Sequence, residues 1–211
     1  MDKKPATSTP NNKTVPQQRK GRHTHTAFSI VLPSAEESRQ RYRQAKERLL
    51  DVNHWHELSG ALSANFTLTD EEGQPVDHTA QEGDHIRIDL PDPGSIAGRG
   101  YDWVAIEKIE DKSTASGNTA YVAIRVRPAG HPQDLEGRGQ TAHFFHPNAT
   151  SSFVVEMTGK CVRASVYGRN EQPNKTSSGL WDKLRNKVVA ISALLGFSRP
   201  QWKGLVKGLL K

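Results

Sequence analysis

His54, Trp55 and His56, in the stretch DVNHWHELSG, are the residues that first raise the question of chemistry. Two histidines could ligate a metal, but at i and i+2 they point about 200° apart on a helix. No nearby cysteine or carboxylate spacing completes a set, so no metal site is expected. Trp55 reads as an aromatic anchor in a core, with His54 and His56 on the solvent side at a pocket mouth. In and beside FFHP, His146 and His143 sit in an insert rich in Gly, Pro and polar residues, which predicts exposed loop histidines. Cys161 alternates with valines and carries no nucleophile motif, so an ordinary thiol is expected. The glycine-rich PDPGSIAGRGYDWV precedes a strand and not a helix, so the amides and dipole of a phosphate loop are missing. In YGRNEQPN, Arg169 leaves a strand for a loop, where turn hydrogen bonding is the plain reading and a polar recognition point the sharper one.

The charge distribution limits partners. Net charge is +6 over 211 residues. Residues 1–23 carry six Lys/Arg and one Asp, and 178–211 carry seven Lys/Arg and one Asp, so the body between is mildly acidic. A basic face across a folded domain is not supported, and a nucleic-acid partner is not expected. The single cysteine excludes an intrachain disulfide. With no apolar run long enough to span a membrane and no signal-like start, the expected location is cytoplasmic.

Local patterns then place the elements. Residues 1–23 offer almost nothing to bury and read as a disordered basic tail, leaving 24–211 as one domain. TAFSIVLP alternates into a first strand. Ser34 and Glu37 form a capping box for a helix that breaks at 51–53, with a short second helix ending at Gly60. Six more strands follow, with Phe28, Ile30, Leu32, Leu62, Phe66, Leu68, Ile86, Ile88, Leu90, Val122, Ile124, Val126, Phe153, Val155, Met157, Val162 and Val166 predicted inward. Trp181, Leu184, Val188, Ile191 and Leu195 make a helical stripe within a C-terminal helix 178–211, which Gly196 bends and Pro200 restarts. A sheet with one apolar face needs a cover, and this helix is the element long enough to supply it.

Strand, two helices meeting at a bend, six strands and a terminal helix: this order, with Asp51 and Trp55 in a D-x-x-x-W stretch, resembles the START-like or helix-grip superfamily. The resemblance implies an α+β fold, a curved antiparallel sheet of about seven strands wrapped on a long C-terminal helix, often around an apolar cavity. A small β-barrel flanked by N- and C-terminal helices is the alternative architecture.

The expected function is a non-catalytic domain that binds a small hydrophobic or amphipathic ligand between sheet and helix, without a cofactor. Candidate cavity-lining residues are Phe66, Ile86, Ile88, Val122, Ile124, Val126, Phe153, Val155, Trp181, Leu184 and Val188, with His54, Trp55, His56 and Arg169 at the rim. None of the predicted inward residues transfers protons, which weighs against catalysis. Two alternatives stand beside it. One is a cyclase- or hydrolase-like enzyme using His54, His56, Asp102 or Arg169 at the rim. The other is an interaction module whose basic ends meet an anionic partner.

Overall fold

A computed structural model describes residues 14–60, 64–89, 98–113, 117–134, 141–174 and 200–211. The strands are β1 (Arg22–Val31), β2 (Asn65–Thr69), β3 (His85–Asp89), β4 (Asp102–Asp111), β5 (Thr119–Pro128), β6 (Thr150–Thr158) and β7 (Cys161–Glu171). Helix α1 (Ala35–Leu50), a 3₁₀ turn (Val52–His54) and α2 (Trp55–Ser59) lie between β1 and β2, and residues 200–209 form α3.

All seven strands join one antiparallel sheet in the order β1-β7-β6-β5-β4-β3-β2. Among the described residues β1 and β2 each pair on one side only, so the sheet is open and the barrel alternative is set aside. Period-2 alternation decides the inner face: the predicted inward residues that are described all belong to one core cluster with Tyr42, Leu49, Trp55, Leu205, Val206 and Leu209. Leu62 and Leu90 lie outside the described residues.

Two contacts of α3 measure the curl of the sheet. A flat seven-stranded sheet would separate its edges by about 29 Å, from a strand spacing of ~4.8 Å. Yet the stretch of α3 from Trp202 to Lys207, about 8 Å along the axis by helical rise, reaches both edges: the Trp202 ring is 6.3 Å from Phe66 on β2, and Lys207 Nζ is 5.9 Å from the Phe28 ring on β1. The sheet must bend around this helix. A bulge between Ile106 and Lys108 on β4 adds local twist.

Helix α1 starts as its sequence predicts. Glu37 N–H donates to Ser34 Oγ at 3.1 Å, while the Ser34 hydroxyl donates to Glu37 Oε1 at 2.8 Å. Two of its arginines hold α3: Arg48 Nη1 donates to the Leu209 carbonyl at 3.2 Å, and Arg41 donates to the carbonyls of Leu210 and Lys211. Cations at exposed helix carbonyls satisfy acceptors that lack intrahelical donors and oppose the negative end of the dipole. Pro200 is the first described residue of α3, and 178–199, including the expected bend at Gly196, lies outside the described residues.

Strand β1 begins at Arg22, and residues 14–21, within the segment read as a tail, run along the outer face of the sheet. Ser152 Oγ donates to the Thr14 carbonyl at 2.9 Å, Arg19 N–H donates to Asn170 Oδ1 at 2.7 Å, and Asn170 N–H donates to Gln18 Oε1 at 3.0 Å. Val15 packs with Tyr121 on a second, small cluster of Ala123, Val154 and Tyr167. β7 itself extends through Glu171, so YGRNE is strand and not loop; Asn170, at φ 55, turns its backbone toward Gln18.

Candidate functional site

The 3₁₀ turn aims Trp55 into the concave side. Its indole N–H donates to the Leu49 carbonyl at 3.1 Å, closing the α1 end, and the residue is 1% exposed. Its ring lies 5.6 Å from Phe66 of β2 and 4.6 Å from Phe153 of β6. Trp202 of α3 completes the group, edge-on to Phe153 at 5.3 Å. Four elements, α2, β2, β6 and α3, thus converge on one aromatic cluster, with Trp202 only half-buried. Such offset and edge-to-face pairs each add about 0.5–1.5 kcal/mol beyond area burial.

Around this cluster the sheet supplies Ile86, Val122, Ile124, Val126 and Val155, all buried, with Ile88 partly so. Trp181, Leu184 and Val188, expected to line the same space, lie outside the described residues. The inner face is not wholly apolar. Asp102 is 3% exposed and sits opposite Ile88, whose other neighbour is Phe66. Its parity with Val104 and Ile106 on β4 is the sequence signal that placed it inward. A carboxylate here gives the apolar interior one polar acceptor.

The predicted rim residues separate. His54 is exposed, and its Nδ1 lies 2.8 Å from the Asp51 carboxylate, which holds the imidazole above its ordinary pKa. His56 Nδ1 lies 3.0 Å from the Asn53 carbonyl. Both face away from the core while Trp55 enters it. Arg169 is elsewhere: its guanidinium lies 5.2 Å from the Tyr167 ring on the outer face and donates to the carbonyls of Gly168 and Thr24. His54, His56, Asp102 and Arg169 are therefore not gathered around one opening.

His143 corrects the loop reading. It is 7% exposed, and its Nδ1 accepts the Phe145 N–H at 2.9 Å. Burial pushes its pKa down to about 3, so the ring is a neutral acceptor in the fold. The nearby Asn174 side chain donates to the carbonyls of Thr141 and His143, both at 3.1 Å. His146 Nδ1 accepts from Asn148 N–H at 3.2 Å. Each is occupied in holding its own loop. Cys161 is a half-buried free thiol at the start of β7. No cluster of three metal-ligating side chains occurs among the described residues, and no described helix is long and apolar enough to cross a membrane.

No protein-family model matches the chain, and no curated protein matches it. Solved structures similar to it include a hypothetical protein of Helicobacter pylori (14% identity, 89% of this chain and 88% of that one, TM-score 0.46). A START superfamily protein of Mycobacterium smegmatis (12%, 90% and 99%, TM-score 0.35) and a norcoclaurine synthase of Thalictrum flavum (12%, 90% and 94%, TM-score 0.35) are also among them. The chain's own strand order, with α1 and α2 between the edge strands and α3 in the concavity, is an α+β helix-grip arrangement.

Proposed function

We propose that the protein binds a small hydrophobic or amphipathic molecule between the concave side of the sheet and the helices. The observation that supports this reading is the convergence of Trp55, Phe66, Phe153 and Trp202, where a half-buried indole carries an aromatic interior out to the surface. Flat apolar groups suit such edges and faces. Phe66, Ile86, Ile88, Val122, Ile124, Val126, Phe153 and Val155 form the wall of the site, and Trp202 stands at its mouth. Recognition by an apolar wall with few polar groups is the ordinary composition of a small-molecule site.

The test uses 8-anilinonaphthalene-1-sulfonate. The dye is expected to bind saturably, one per chain, with energy transfer from tryptophan, under conditions where urea unfolding stays cooperative. Trp202→Ala should weaken binding about tenfold, a loss of ~1.4 kcal/mol. Ile124→Trp, which fills the interior, should abolish it. Absence of saturable binding, or binding indifferent to Ile124→Trp in a folded variant, overturns the reading.

A further inference from the structure

The two edges of the sheet are treated differently by the chain. At β2, the Leu68 N–H donates to Asn53 Oδ1 at 2.7 Å, and the Val76 N–H donates to the Leu68 carbonyl at 3.0 Å. Pro75 bridges to Thr69. That edge is short and covered. Edge strand β1 is ten residues long and carries no such cover among the described residues.

The register identifies its free groups. Leu32 N–H donates to the Lys160 carbonyl at 2.8 Å, continuing the β1–β7 ladder. Alternation in an antiparallel ladder then turns the backbone of Ile30, Phe28, Thr26 and Thr24 toward β7, and that of His25, Ala27, Ser29 and Val31 away from it. The latter four residues are exposed, Val31 at 76%. From Thr24 to Val31 the strand is regular, with no proline, no bulge and no lysine or arginine to block another strand. Proteins usually guard a long edge with one of those devices.

From this we infer that β1 is a dimerisation edge whose occupant is β1 of a second copy of the same chain, paired antiparallel about a two-fold axis at Phe28. That axis sets His25 opposite Val31 and Ala27 opposite Ser29, so every outward N–H and C=O of one copy meets its complement in the other. The four opposed pairs give about eight hydrogen bonds, two per pair. Phe28 meets its own copy in a non-hydrogen-bonded pair, where side chains approach most closely. Charge fits the same axis. Basic Arg19 and Lys20 precede β1 and Arg22 opens it, while the exposed Glu37, and Glu36 with its partners Arg39 and Arg43, follow it, so antiparallel pairing lays the basic end of one copy beside these carboxylates of the other. An isologous contact of this kind closes at two copies and does not propagate.

Sedimentation and light scattering on the full chain read the outcome. The wild type should be a dimer at ~100 μM, a concentration that fills a site of micromolar affinity. Ser29→Pro removes an outward N–H and leaves the β7 ladder intact, so it should be monomeric, with an unfolding midpoint matching that of the wild type at dilutions where the wild type is itself monomeric. A second reading works even where proline disturbs folding. In a Cys161→Ser background, Phe28→Cys should cross-link two chains under mild oxidation, because opposed Cα atoms stand about 4.5 Å apart there. His25→Cys, displaced along the strand from its own copy, should not cross-link. A monomeric wild type, a dimer that survives in folded Ser29→Pro, or equal cross-linking at both positions overturns the proposal. So would a monomer with the Ala27 and Ser29 amides protected from exchange, which would assign the edge to a segment of the same chain.

Discussion

Gly204 of α3 stands directly against Ser59 at the end of α2, where a Cβ on the glycine would overlap the Ser59 carbonyl oxygen. One turn later Gly208 meets Leu58 in the same way. Gly204→Ala therefore sets two rules against each other. Helix propensity alone would stabilise by about 0.5–1 kcal/mol, whereas overpacking against backbone costs about 1–3 kcal/mol. The backbone contact should win, and urea unfolding should show Gly204→Ala and Gly208→Ala both destabilised.

Asn53 ties the 3₁₀ turn to β2 and to the loop that follows it. Its Nδ2 donates to the Val76 carbonyl at 2.9 Å while its Oδ1 accepts the Leu68 N–H. Asn53→Ala leaves both backbone groups without that partner and should cost about 1–3 kcal/mol. Asn53→Asp keeps the acceptor and loses the donor, so its chemical-denaturation midpoint should fall between the two.

Acid should act through His143. Its folded pKa, about 3, lies below the ordinary value of 6.5, so between these limits the unfolded chain takes up a proton that the folded ring refuses. Protonation would also abolish the acceptor used by the Phe145 N–H. Stability is therefore lost as pH falls below 6.5. Glu156 and Glu171 act in the opposite sense, since burial raises both carboxyls and acid relieves their desolvation. Unfolding midpoints measured from pH 7 to 4 should drop for the wild type, and His143→Gln should flatten the profile.

On the outer face, Val15 covers Ala123, Val154 and Tyr167. Val15→Asp puts a charge there and should destabilise by about 1–2 kcal/mol, within the usual range for point changes with a named packing cause. Trypsin should then cut at Arg19 and Lys20 faster than in the wild type.

The inner face was legible because strand alternation is a local signal: Val122, Ile124 and Val126 announce their side without knowledge of their partners. Trp55 was legible for a related reason, lying between a helix break and a glycine. The strap at 14–21 was not. Its composition resembles disorder, and the groups that hold it, Ser152 and Asn170, come from more than 130 residues away. His143 was misjudged because its loop is polar in composition while Asn174, far along the chain, buries its backbone. Asp102 was weighed at the rim, although its parity with Val104 already put it inside.

The grip of Arg41 and Arg48 on residues 208–211 spans 160 to 170 positions, and β1 finds its neighbour in β7. During synthesis, then, the earliest helix and strand emerge long before the segments that complete them. Closure of the core must await the last strand and α3, which marks this as a slow, late-committing folder in which the first half stays exposed to chaperones and proteases until residues near 210 arrive.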